Sequence, residues 1–152
     1  MTNKMQKNND KFEWTALDCY NYYNYKKPWN LTRLERIVFK ALHLSGLRFE
    51  TQKTFPWLTG DSGRLLRCDF YIPDKKVVIE CHGEQHFKSS CFKIGLNEQL
   101  ISDESKRYQC EDLHSIKIVY FTECAFKTHL DNDNNIKVFR NVINLIDYLL
   151  TL

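Results

Sequence analysis

The chain has 152 residues, with 22 Lys+Arg against 19 Asp+Glu for a net charge of +3, and is 43% hydrophobic, 14% aromatic and 27% charged. That length suffices for one domain with a full core, and only 5 Gly and 3 Pro exclude a loop-dominated or low-complexity chain. No run approaches the roughly 20 apolar residues of a membrane span, and the small positive excess permits nucleic-acid binding without requiring it.

The opening MTNKMQKNNDK is polar and has no signal-peptide core. Six cysteines stand without a CxxC pair, as expected of reduced thiols in an intracellular protein with no membrane partner. Residues 1–30 are expected to be an N-terminal tail and an aromatic and basic arm, and residues 31–152 a single domain. The first dozen residues read as a disordered polar tail. The aromatic and basic stretch from Trp14 to Trp29, with its run CYNYYNYKKPWN, is expected to be a packed arm, although its Tyr, Asn and Lys could also stack on bases and meet phosphates.

A first helix is predicted from residue 31 or 32 to 45, because Leu34, Ile37, Val38, Ala41 and Leu42 recur at helical spacing and Gly46 suits the position past its end. A strand follows over 48–57, broken at Pro56, then the turn TGDSG at 59–63. Two short strands, 64–72 and 76–82, flank Pro73-Asp74-Lys75. A second helix fills 96–113, and the apolar IKIVYFT forms a strand over 116–122. Asn135 is expected to cap a last helix in which Phe139, Val142, Ile143, Ile146, Leu149 and Leu150 share a face. Asp131 to Asn135 is a turn and not a calcium loop, since Ile136 and Val142 occupy positions that need Gly and Glu.

Strand alternation puts Leu66, Cys68, Phe70 and Ile72 on one face of the 64–72 strand, with Leu65, Arg67, Asp69 and Tyr71 on the other. If a two-residue loop, Asp74-Lys75, closes the hairpin, Ile72 opposes Val77, Phe70 opposes Ile79 and Cys68 opposes Cys81 on the apolar side. Asp69 then opposes Glu80 and Arg67 opposes His82. A slip of one residue would mix apolar with polar side chains, whereas a slip of two would not. Two facing carboxylates, with Cβ atoms about 5 Å apart, repel unless one is protonated, both are well solvated, or a cation lies between them. Mg²⁺ is commonly held by one or two carboxylates plus water and phosphate oxygens.

The run RCDFYIPDKKVVIECHGEQHF, followed by D-x-x-K at Asp103–Lys106, resembles the PD-(D/E)XK nuclease superfamily, in the branch similar to very short patch repair endonucleases. The resemblance covers about residues 31 to 122. It implies an α/β fold with a restriction-endonuclease-like α-β-β-β-α-β core, a mixed sheet flanked by helices, and here an extra C-terminal helix. It also implies metal-dependent hydrolysis of DNA phosphodiester bonds, with Mg²⁺ or Mn²⁺ as cofactor, and a homodimer where both strands are cut. Asp69 and Glu80 would be metal ligands, joined by the Cys81 backbone carbonyl and by Glu35 from the first helix. Glu35 is equally explained as part of a capping box with Thr32.

His82 stands where the superfamily commonly has Lys. That departure points to a histidine variant in which His86, or failing that His82, is the general base, and Gln85 orients water or phosphate. It also supports the rival reading, a catalytically inactive nucleic-acid-binding module of the same fold. Lys106 would contact the scissile phosphate, unless it and Asp103 merely form surface pairs, such as Asp103 with Arg107. Arg64, Arg67, Lys88 and Lys93 would hold phosphates. Structural zinc is not expected, because Cys81, His82, His86 and Cys91 are irregularly spaced and Cys81 faces away from His82.

Overall fold

A computed structural model of the chain describes residues 4–18, 31–83 and 96–152, with the backbone alone for 96–99. In chain order the elements are α1 (Lys4–Asp10), α2 (Arg33–Ser45), β1 (Glu50–Thr59), β2 (Leu65–Ile72), β3 (Val77–Cys81) and α3 (Leu96–Arg107). A π-helical turn (Tyr108–Asp112) extends α3; then come β4 (Lys117–Phe121), a 3-10 turn (His129–Asn132), β5 (Lys137–Phe139) and α4 (Val142–Thr151). The fold is α/β: one five-stranded mixed sheet in the order β1-β2-β3-β4-β5, flanked by helices. β1, β2 and β3 pair antiparallel, and β4 and β5 add in parallel. None of the described helices is long and apolar enough to cross a membrane.

Helix α2 forms as its sequence predicts. The Thr32 hydroxyl accepts the Glu35 N–H at 3.3 Å, and Gly46 ends the helix in the left-handed region at φ 77°. Its buried stripe of Ile37, Val38, Ala41 and Leu42 meets Val142, Leu145 and Leu149 of α4 over one face of the sheet. The other face, carrying Val78, Ile118 and Tyr120, is covered by Cys110 of the π-turn with Ile116 and Leu130. Burying each large apolar side chain fully contributes about 1.5–3 kcal/mol.

Four sequence expectations are corrected. Residues 4–10 are helical and docked, because the Asn9 amide is buried: it donates to the Arg140 carbonyl at 2.8 Å and accepts the Val142 N–H at 2.8 Å. β1 runs through Pro56 to Thr59; as an edge strand it tolerates the missing N–H, and its register against β2 shifts between Thr54 and Thr59. The last helix is capped by Asn141, whose side chain accepts from the Ile143 and Asn144 N–H groups. Asn135 lies outside that helix because residues 137–139 pair with β4, and Leu145, unforeseen, is buried on its face while Leu150 is 53% exposed. Of the expected arm, Trp14 packs edge-on to Phe39 with ring centroids 5.2 Å apart, and residues 19–30 lie outside the described residues.

Candidate active site at the fork between two strands

β2 and β3 pair as Ile72↔Val77, Tyr71↔Val78 and Phe70↔Ile79, the expected register, with no slip of one or of two. The hairpin loop is four residues rather than two. Pro73 has no N–H to complete a ladder pair with Lys76, so its carbonyl accepts the Lys76 N–H at 3.3 Å in a turn. Lys76 takes φ 53°, and its own carbonyl accepts from Lys117 of β4 at 3.0 Å.

The regular ladder stops at Phe70↔Ile79, one residue short of the acidic pair. On the other side of β2, Thr51↔Phe70 and Lys53↔Cys68 bracket Gln52, whose φ is 52°. The expected alternation fails there. Phe70 packs on the α2/α4 face together with Cys81, while Cys68 packs on the opposite face near Cys110. Cys68 and Cys81 therefore do not share one apolar face; Gln52, with its left-handed backbone, lies on β1 between the partners of Phe70 and Cys68. The Asp69 carboxylate fills the gap left in the ladder: its Oδ2 accepts the Cys81 backbone N–H at 2.8 Å.

Glu80 is 6% exposed and projects from β3 toward α3, where it forms an ion pair with Lys106. The Lys106 ammonium also donates to the Arg67 carbonyl at 2.7 Å, so this lysine ties α3 to both strands of the fork. Burial pushes the Glu80 carboxyl well up; Lys106 opposes the rise, and the nearby Asp69 charge adds to it. Burial works against the Lys106 ammonium, yet Glu80 and its neighbours hold its pKa above the ordinary lysine value. Glu35 joins from α2. It is 9% exposed, takes a hydrogen bond from the Gln52 amide at 3.4 Å, and is pushed up by burial and by Asp69, with Thr32 opposing. The capping contact and the carboxylate's approach to Asp69 thus coexist in one residue.

Beside Glu80 lies a cleft of about 170 Å³, lined among others by His82, Asp103, Lys106 and Tyr120. His82 is buried, its backbone N–H held by the Phe121 carbonyl at 2.9 Å and its ring set edge-on to Tyr120 with centroids 5.1 Å apart. The Tyr120 hydroxyl accepts from Arg107 at 3.1 Å. Asp103 and Lys106 are turned in from the surface: Asp103 is 6% exposed and its Oδ2 accepts from His129 Nε2 at 3.1 Å.

Of the predicted site residues, Glu80, His82 and Lys106 line the cleft on one side of the sheet, Cys81 and Glu35 lie on the α2 side, and Asp69 acts on both Glu80 and Glu35. Arg64 and Arg67 are exposed nearby in sequence. Gln85, His86, Lys88 and Lys93 fall outside the described residues, as does Cys91. Cys81 faces the α2/α4 core while His82 lines the cleft on the opposite side of the sheet, a poor start for a shared zinc. Sequence reasoning missed Tyr120, which strand alternation with Ile118 could have placed beside Glu80, its partner in the β3–β4 register. It also missed His129, for which no sequence signal exists. No protein-family model, curated protein or solved structure matches the chain.

Among the described residues no three His, Cys, Asp or Glu side chains converge into a complete metal site. A hard cation that keeps water and substrate oxygens needs only one or two carboxylates. Asp69 raises the pKa of both Glu80 and Glu35, the mutual repulsion that such a cation relieves, and the donors are all oxygen. The residues present fit Mg²⁺ or Mn²⁺ on this ground.

Proposed function

We propose that the chain is a metal-dependent nuclease that hydrolyses phosphodiester bonds in DNA, with a restriction-endonuclease-like core of the PD-(D/E)XK kind. The observation that carries the reading is the fork itself. Where the β2–β3 ladder ends, Asp69 takes over the Cys81 N–H, and Glu80 and Lys106 meet beside a polar cleft. Carboxylates and a lysine gathered at the parting of two strands are costly to a fold and have no packing role that apolar residues would not fill better.

Asp69 and Glu80 would hold the cation, with Glu35 behind them and the Cys81 carbonyl available. When bound, the cation would polarise the phosphate and offset charge on the leaving oxygen. Lys106, anchored on Glu80, offers an ammonium to the phosphate. In this reading Lys106 supplies from α3 the lysine that position 82 lacks. A histidine accepts the proton of the attacking water; of the two expected, His82 lines the cleft. DNA is the partner this chemistry implies; Arg67 lies on the strand that carries Asp69, with Arg64 just before it.

The test is cleavage of supercoiled plasmid with Mg²⁺, Mn²⁺ or EDTA, by wild type beside Asp69→Ala and Glu80→Gln. The reading predicts metal-dependent nicking that both variants lose while DNA binding persists. Wild-type rates in the Asp69→Ala variant would contradict it. DNA binding by a folded wild type that neither cleaves nor takes up metal would point to the binding module instead.

A further inference from the structure

Helix α3 has little apolar surface with which to hold its place. Its sequence, LNEQLISDESKR, includes three apolar residues, and one of them, Ile101, is 62% exposed. Helices in globular proteins are usually held by a buried apolar stripe. Among the described residues, this one is fastened by polar contacts: Asp103 to His129, Lys106 to Glu80 and the Arg67 carbonyl, and Arg107 to Tyr120.

The His129 contact differs from the others in what stands behind it. His129 begins a 3-10 turn fixed by a capping box, in which the Thr128 hydroxyl accepts the Leu130 N–H at 3.2 Å and the Asp131 carboxylate accepts the Thr128 N–H at 2.7 Å. Arg140 grips the same carboxylate with two bonds of 3.0 and 2.9 Å. The imidazole is therefore presented from a rigid base. Asp103, the acceptor, is buried, and a buried carboxylate is tolerated only where it is paired. Asp103 and Lys106 are three residues apart, hence on one face of α3, and both line the cleft with Glu80.

We propose that His129 is a positioning residue of the site: by holding Asp103 it sets α3 on the sheet and so seats Lys106 on Glu80. The catalytic consequence rests on the nuclease reading; the geometric one does not.

The two are separated by reading Lys106 directly. The full chain is treated with acetic anhydride and the acylation rate of Lys106 followed by peptide mass spectrometry, in wild type, His129→Ala and His129→Gln, with exposed Lys137 as the internal control. Lys106 is expected to be protected in wild type, to react several-fold faster in the alanine variant, and to regain protection in the glutamine variant, which keeps a donor near the place of Nε2. Lys137 should react alike in all three. On DNA, kcat should fall by roughly 100-fold in the alanine variant with little change in KM, as for displacement of a positioned group by about 1 Å, and recover with glutamine. Should the alanine variant melt below the assay temperature, His129→Leu, which keeps bulk without a donor, takes its place. Unchanged Lys106 protection in the donor-less variant overturns the proposal, and so does a glutamine variant that behaves like alanine. If wild type cleaves nothing, the nuclease reading fails, and Lys106 acylation still decides the role of His129.

Discussion

Two carboxylates of this chain are bound by basic side chains to opposite effect. Glu80 is so deeply buried that its partner Lys106 fails to bring it down to the ordinary carboxylate range. Asp131, nearer the surface and gripped by the Arg140 guanidinium, is held at about 2 against burial, with Thr128 assisting. Its folded pKa lies below the unfolded one near 3.9, so the charged form is the one that folding favours. The Asp131 contribution is therefore complete above about pH 4 and disappears as the pH falls through about 2. Its size is on the order of 2 kcal/mol. Urea denaturation at pH 5 and pH 2 should show wild type losing more stability on acidification than Asp131→Asn. Equal losses would mean that the Arg140 clamp adds nothing to the pH dependence. The same clamp carries the turn on which His129 stands, so the acid limb bears on the site as well as on the fold.

At the level of elements, the N-terminal helix and the C-terminal helix are joined through one amide. Asn9 Oδ1 accepts the Val142 N–H at 2.8 Å, while Nδ2 reaches the Arg140 carbonyl and, at 3.1 Å, Glu123. Asn141 supplies the local cap of α4 and Asn9 the distant one. Asn9→Ala leaves the buried Val142 N–H unsatisfied, a loss of about 1–3 kcal/mol. It should also speed proteolytic release of the segment before residue 14. An unchanged urea midpoint would show that α1 is only laid against the domain.

Such long-range contacts explain why the elements were unequally legible in the sequence. Helix α2 could be read because its apolar spacing, Thr32 cap and Gly46 stop all lie within a few residues of one another. The β2–β3 register could be read to within a slip of two, because a slip of one would separate Phe70 and Ile72 from Val77 and Ile79. The placing of Cys68 and Phe70 on opposite faces could not, since it breaks strand alternation beside Gln52 of the neighbouring strand, a residue type with no special liking for its φ of 52°. Helix α1 looked like a tail because its single decisive residue, Asn9, finds its partners more than a hundred positions away. At the site, Asp69, Glu80 and Lys106 were visible as a spaced pattern. The Asp103–His129 pair was not, because the two residues are 26 positions apart and His129 sits in a stretch without periodicity.

Across the whole molecule, the sheet has two finished layers and one unfinished corner. Apolar side chains of α2 and α4 close one face, and the π-turn with its neighbours closes the other. The edge strand β1 is blunted by Pro56 and by the Gln109 amide, which binds both the N–H and the carbonyl of Thr59 at 3.1 and 2.9 Å. Against that economy, the β2–β3 fork stands out as the place where ladder hydrogen bonds give way to charged side chains. The metal site proposed there is tested most directly by calorimetric titration of Mn²⁺ into the full chain, wild type beside Asp69→Ala, with both variants shown to be folded. Saturable Mn²⁺ uptake by wild type that the alanine variant lacks is the predicted result. No saturable uptake by wild type, or the same uptake by both, would contradict it.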